Sequence, residues 1–205
     1  MPPYPKFLQV NARNLIPVVR DVFLRPAAAG VATLKSAQDI SGHTVSITTF
    51  DAQPLPARKI KLVFNASTAA TGNLTVVGKD LKGKARTEVI AVDTGSGSPL
   101  TFVSKYAYAK LTSVKGTLAG TLTGKTMSIG TTNEIQLTAP VAIAEDILRE
   151  EFGGGITQDG STKAITLAAM ADASSLGTPD HIANTYPVVS TLDGVSDLIV
   201  TYLRR

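Results

Sequence analysis

The strongest constraint on this chain is a series of short segments in which polar and apolar residues alternate. The segments 44–50, 59–65 and 86–92 show this period of two and are rich in β-branched residues, which suit a half-buried pleated surface. Further runs of this kind occupy 73–78, 100–108, 109–115, 126–130, 134–137, 160–167 and 197–203. Short strands bounded by Gly, Asn, Asp or Pro predict a mainly β fold, either a β-sandwich or a barrel-like domain.

One segment carries a helical pattern. Residues 144–152 place apolar side chains at helical spacing, Pro140 precedes them, and a run of glycines from Gly153 follows. These features predict one short helix near 144–152. Its acidic residues are expected to lie on a solvated face; they are Glu145, Asp146, Glu150 and Glu151.

The N-terminal region differs from the rest of the chain. Repeated prolines break regular structure there, so residues 1–35 are predicted to form an N-terminal arm or first element, and 36–205 a β-rich domain. The arm contains an apolar run between arginines: Leu15, Ile16, Val18, Val19, Val22, Phe23 and Leu24. This run must bury its apolar side, either on the chain's own core or on a neighbouring subunit, and the pattern leaves both possibilities open.

The residue inventory removes most kinds of catalytic site. The chain has no cysteine, which excludes disulfides, thiol catalysis and thiolate metal sites. The segment 120–126 has three residues where a phosphate loop needs four, and it favours a hairpin turn instead. Two Asp–His pairs could supply part of a catalytic triad or metal site: Asp180 with His181, and Asp39 with His43. The sequence contains no nucleophile elbow to complete a triad with either pair. We therefore predict no catalytic, cofactor-binding or metal site, and a protein that is not an enzyme.

Charge is only mildly basic and mostly scattered. The 20 basic and 16 acidic residues give a net charge of +4, which favours solubility more than it indicates nucleic acid. One turn concentrates positive charge: Lys79, Lys82, Lys84 and Arg86. Without interleaved aromatic residues this turn is not a stacking platform, so we predict either a solvated surface or a contact with an acidic partner, and no specific nucleic acid. No run of 18 uncharged apolar residues is present, so no membrane-spanning helix is expected.

Two parts of the chain resemble a known group of proteins. Residues 72–83 read GNLTVVGKDLKG, 87–92 read TEVIAV, and 102–114 and 127–130 follow with a Phe-containing segment and a short strand ending in Gly. This block resembles one common in virion proteins of tailed bacteriophages, and 184–202 is similar to the C-terminal ends of such proteins. The resemblance implies a β-rich, non-enzymatic particle component, with no catalytic residue or cofactor.

The arm and the basic turn lead to a functional expectation. We expect a protein that decorates or cements the capsid surface as a homo-oligomer, for which a trimer is one arrangement. Its partners would be the major capsid protein or other virion proteins. It would be assembled in the bacterial cytoplasm and reside in the virion, without a membrane. The arm's apolar residues and the basic turn would supply the contacts.

Two alternatives stand beside this expectation. The chain could instead be a tail, baseplate or fibre component that binds the particle or a host receptor. A receptor-binding protein of this kind should expose Tyr106 and Tyr108, since aromatic faces stack on sugars and anchor protein contacts. The other alternative is a hydrolase that uses acids such as Glu145 or Asp180, although no sequence feature demands one.

Overall fold

The computed structural model describes residues 17–65, 68–95, 100–141, 146–153, 165–168, 179–180, 183–189 and 192–204. The chain is mainly β, as the alternation predicts. The strands are β1 (Val18–Phe23), β2 (Gly30–Asp39), β3 (Thr44–Ile47), β4 (Arg58–Phe64), β5 (Ala69–Lys79), β6 (Ala85–Asp93), β7 (Thr101–Tyr108), β8 (Lys110–Thr121), β9 (Thr126–Gln136), β10 (Ile147–Gly153), β11 (Ile165–Ala168), β12 (Thr185–Pro187) and β13 (Asp197–Leu203).

The strands form three antiparallel sheets. Sheet I has the order β1-β13-β10-β11, sheet II the order β12-β9-β4-β7 with β2 also on β9, and sheet III the order β3-β8-β5-β6. No sheet among the described residues closes on itself, so the barrel-like alternative is not observed and the arrangement is sandwich-like. The turn at 122–125, predicted as a hairpin, instead connects β8 in sheet III with β9 in sheet II.

Two hydrophobic cores follow from this arrangement. Sheets II and III pack face to face and bury one core between them, which includes Leu62, Phe64, Leu74 and Val114. Their inward residues alternate with outward polar ones, as a sandwich requires. Sheet I, the end of β9 and β12 enclose the second core, whose members include Tyr202.

Strand β9 belongs to both cores. Met127 and Ile129 lie in the first core, and Ile135 lies in the second. Along one edge β9 pairs first with β2 and then with β12. The sequence pattern predicts two strands here, 126–130 and 134–137, because runs separated by Gly and Asn are typical of a hairpin. That prediction is wrong: Thr131 is buried and the strand continues through it.

The helix predicted near 144–152 is also wrong. Residues 147–153 form β10, which pairs with β13 on one side and β11 on the other. A β-bulge between Ile147 and Arg149 shifts the register, so the apolar spacing imitates a helical one. Pairing with β13 along the strand and with β11 over 150–153 outweighs local helix propensity, because it satisfies backbone groups of β10.

The N-terminal region is integrated into the fold over its described part. Strand β1 pairs with β13 from Val18↔Leu203 to Phe23↔Leu198, and the Phe23 side chain lies in the second core. Of the two possibilities left open for 18–23, the structure therefore has the strand on the chain's own core. The predicted boundary at residue 35 does not separate units, because β2 runs across it. The sequence pattern does not predict β2, because two register shifts against β9 interrupt the alternation of polar and apolar residues along this strand.

Candidate functional site

The basic turn between β5 and β6 is organised by one buried carboxylate. Asp80 is only 3% exposed, and its Oδ1 accepts hydrogen bonds from the backbone N–H groups of Lys82 and Lys84, both at 2.9 Å. Its Oδ2 lies 3.1 Å from Nε and 2.9 Å from Nη2 of Arg86. At Gly83, where φ is +76°, the backbone N–H donates to the Asp80 carbonyl oxygen at 3.0 Å. Asp80 therefore sets the turn's shape and orients Arg86.

This turn forms one wall of a pocket of about 320 Å³. We call it the basic pocket, and its lining residues are Asp80, Lys82, Lys84, Arg86, Gln136, Pro140, Ala183 and Asn184. The opposite wall comes from the end of β9 and the approach to β12. Gln136 joins the walls, because its Oε1 accepts a hydrogen bond from the Leu81 N–H at 3.0 Å. Asn184 is held in turn by a 2.7 Å hydrogen bond from its Nδ2 to the Leu137 carbonyl oxygen.

The charge of the basic pocket is positive. Three cationic side chains face one carboxylate in its lining, which leaves a net charge of +2. Arg86 is paired with Asp80 and also lies over the Tyr106 ring, 5.2 Å from its centroid. Lys82 and Lys84, both exposed, make no ion pair with any described residue. Among the described residues, their ammonium groups therefore have no carboxylate counter-ion.

A second polar cluster lies near the pocket. The Lys59 ammonium contacts Glu134 at 2.6 Å and Asp180 at 2.9 Å, and this links β4 and β9 to the approach to β12. Burial lowers the pKa of Lys59, but the hydrogen bonds and charges of the two carboxylates outweigh it, so the pKa is raised overall. One ammonium faces two carboxylates, which leaves the cluster a net charge of −1, and the ion pair with Lys59 makes Asp180 a structural partner.

The acidic residues predicted to be solvated are buried instead. Asp146, Glu150 and Glu151 are buried, and Glu145 lies outside the described residues. Glu150 Oε2 accepts hydrogen bonds from the Tyr186 hydroxyl at 2.6 Å and from a backbone N–H at 3.1 Å. Arg20 pairs with Glu151 at 3.6 Å. The prediction was wrong because the segment is a strand facing polar partners, which a helical pattern cannot reveal.

The apolar run of the N-terminal region divides between two faces. Val19 and Phe23 pack on the second core. Val18, Val22 and Leu24 are 60%, 52% and 75% exposed, and we call these three residues the β1 stripe. Leu15 and Ile16 lie outside the described residues. Among the described strands β1 pairs only with β13, so the stripe lies on an open sheet edge.

The two tyrosines expected at a receptor surface are not available there. Tyr108 is 0% exposed within the first core, and Tyr106 is partly buried against it. Arg86 and the Lys105 ammonium both lie over the Tyr106 ring. The expected tyrosine platform is therefore absent from the described surface, because the strand containing both residues lies against the core.

The two Asp–His pairs considered as parts of a triad or metal site make other contacts or lie partly outside the described residues. His43 places its Nε2 3.2 Å from the Gly120 carbonyl oxygen, Asp39 accepts a hydrogen bond from the Ser41 N–H, and His181 lies outside the described residues. In the part of the chain that the structure describes, no three His, Asp or Glu side chains group in a way that could hold a metal ion. The same part contains no helix with the length and hydrophobicity needed to cross a membrane.

Sequence reasoning found one wall of the basic pocket and missed the other. The turn's charges are evident in the sequence, and the carboxylate of Asp80 beside a Gly-containing turn is a recognisable signal. Lys79, predicted with the turn, is exposed but does not line the pocket. Gln136 and Asn184 carry no local signal, since only the meeting of β9 with β12 brings them beside the turn.

Comparison of the chain with protein-family models, with curated proteins and with solved structures finds no match. The sandwich-like β fold and the two surfaces described above are therefore the features from which a function must be argued.

Proposed function

We propose that this chain is a non-enzymatic structural protein of a bacteriophage particle, which attaches to the capsid surface as an oligomer. The observation that carries the proposal is the β1 stripe on an open sheet edge. Edge strands in natural proteins are usually protected by charged residues, prolines or covering segments, because their free backbone groups can pair with another chain. Here Arg20 lies between the two valines, is 60% exposed and pairs with Glu151, so the edge has one charged side chain among three exposed apolar ones.

The rest of the fold supports an assembly role. The described residues form thirteen strands in three antiparallel sheets, which supply a scaffold for assembly. The buried carboxylates among the described residues take part in hydrogen bonds or ion pairs, which suits a stable framework better than a reactive site. A rigid surface loses little conformational entropy when it docks, so even a small apolar stripe can contribute to binding.

The test is binding of the purified full-length chain to shells of the major capsid protein encoded with it, measured by co-sedimentation. Deleting residues 1–30 would remove β1 from sheet I, so point substitutions are preferable. V18K/V22K should weaken shell binding or self-association by about tenfold or more, because a charged side chain cannot be buried there without a partner.

The matched control is V89K/V103K. Val89 on β6 and Val103 on β7 are 61% and 47% exposed, so this double variant adds the same two charges outside the stripe, and shell binding should stay within about twofold of the unaltered chain. A chain that stays monomeric and ignores the shells contradicts the proposal. Equal loss in V18K/V22K and V89K/V103K would show that the stripe has no specific role.

A further inference from the structure

We propose that the basic pocket binds an acidic peptide segment of a partner protein, with at least two carboxylates close together in its sequence. This inference rests on the proposed function, since it assigns the chemistry of one contact made by an assembling protein. The first support is charge: Lys82 and Lys84 lie together beside Arg86 and have no carboxylate partner among the described residues. Two unpaired ammonium groups at one opening match two carboxylates.

The second support is that the pocket is pre-organised. Asp80 binds both lysine N–H groups and the Arg86 guanidinium, while Gln136 holds the turn at Leu81. The backbone carrying the lysines is therefore already ordered before a ligand arrives. A ligand then restricts mainly the two lysine side chains, which keeps the entropy loss of binding small.

The third support is size and shape. The volume of about 320 Å³ is at the lower end of the range for ligand-binding pockets, and it suits a few amino-acid side chains. The pocket also offers hydrogen-bonding side chains, Gln136 and Asn184, beside the charges. A short acidic segment can use both kinds of group.

Nucleic acid fits the pocket less well. Single strands bind through aromatic faces combined with an extended basic groove. Tyr106, the aromatic residue beside the pocket, is partly buried and has Arg86 and Lys105 over its ring, and Tyr108 is buried. The pocket lining itself carries only three cationic side chains, so few phosphates could be neutralised there at once.

The experiment measures fluorescence anisotropy of a labelled peptide, Gly-Ser-Glu-Asp-Glu-Ser-Gly with blocked ends, titrated with the full-length chain. We expect saturable binding that weakens as salt is raised. The neutral peptide with Gln and Asn in place of the acids should not bind. K82Q/K84Q should weaken binding of the acidic peptide by about tenfold or more.

The matched control is K61Q/K115Q, which removes the same charge from lysines that do not line the pocket. Its peptide affinity should stay within about twofold of the unaltered chain. Equal weakening in both double variants would overturn the proposal, since it would indicate non-specific attraction. Absence of peptide binding would overturn it as well, and so would tighter binding of an oligothymidine or displacement of the peptide by equimolar inorganic phosphate.

This assay separates the two proposals because it contains no virus shells. Peptide binding by a chain that ignores shells would refute the proposed function and leave the pocket assignment standing. Shell binding by a chain that does not bind the acidic peptide would refute the pocket assignment alone.

Discussion

Tyr108 and Tyr202 are both buried, but only the Tyr202 hydroxyl has hydrogen-bond partners among the described residues. Replacing each tyrosine by phenylalanine should therefore change the free energy of unfolding in opposite directions. Tyr108 and Tyr202 are both 0% exposed. The Tyr108 hydroxyl is buried without a hydrogen-bond partner among the described residues. The Tyr202 hydroxyl donates to Asp21 Oδ2 at 2.9 Å and accepts from the Ala139 N–H at 2.9 Å. Tyr→Phe removes only the hydroxyl and leaves the ring packing in place.

The size of each effect follows from the hydrogen-bond inventory. Burying a hydroxyl without a partner costs about 1–3 kcal/mol, so Tyr108→Phe should raise the free energy of unfolding by about 1–2 kcal/mol. Burial, reinforced by the nearby charge of Glu88, also raises the pKa of Tyr108 well above its usual value, so the group stays neutral. Tyr202→Phe leaves a carboxylate and a backbone N–H short of a partner, and should lower the free energy of unfolding by about 1–3 kcal/mol.

Urea unfolding followed by circular dichroism measures both effects on the full-length chain. The denaturant slopes should match that of the unaltered protein, so that midpoint shifts report stability alone. If Tyr108→Phe destabilises the protein as much as Tyr202→Phe does, the Tyr108 hydroxyl has a hydrogen-bond partner and the reasoning fails. A Tyr202→Phe variant more stable than the unaltered protein would also contradict the reasoning.

Three further substitutions test other parts of the structure. Burial raises the pKa of Glu88 above its usual 4.5, although two backbone hydrogen bonds act in the opposite direction. Protonated Glu88 therefore contributes to the free energy of unfolding, fully below pH 4.5, and this contribution is lost as the pH rises through the raised pKa. Glu88→Gln should remove this loss in a pH series of urea unfolding, and an unchanged pH profile contradicts the assignment. Asp80→Asn should lower the free energy of unfolding by about 2–3 kcal/mol because the turn loses its charged acceptor; a loss below about 0.5 kcal/mol would show that Asp80 does not hold the turn. Gly78→Ala should cost about 1–3 kcal/mol, since the new Cβ would lie 2.3 Å from the Lys110 carbonyl oxygen. Its control is Gly42→Ala, where nothing lies within 4 Å, and equal thermal shifts in the two variants would refute the close approach.

Part of the candidate site was predictable because its signal is local. The basic turn was evident in the sequence, since two alternating segments flank a charged, Gly-containing stretch. The buried position of Glu150 was not, because its partner Tyr186 is far away in the sequence and polar residues at an apparent helix surface normally face solvent. The apolar run near β1 indicated burial, but only the pairing with β13 shows that Phe23 is buried while Val22 is exposed.

The sequence by itself determined the β class, the positions of most strands and the basic character of the β5–β6 turn. These properties depend on residues within a few positions of one another, where the period of two and the conformational preferences of Gly, Pro and Asp act directly. The tertiary structure decided that 147–153 is a strand, that β9 serves two cores, that β1 presents an apolar stripe, and that Gln136 and Asn184 complete the basic pocket. Each of these depends on strand pairing or packing between distant segments, whose free energy exceeds the small differences in local propensity.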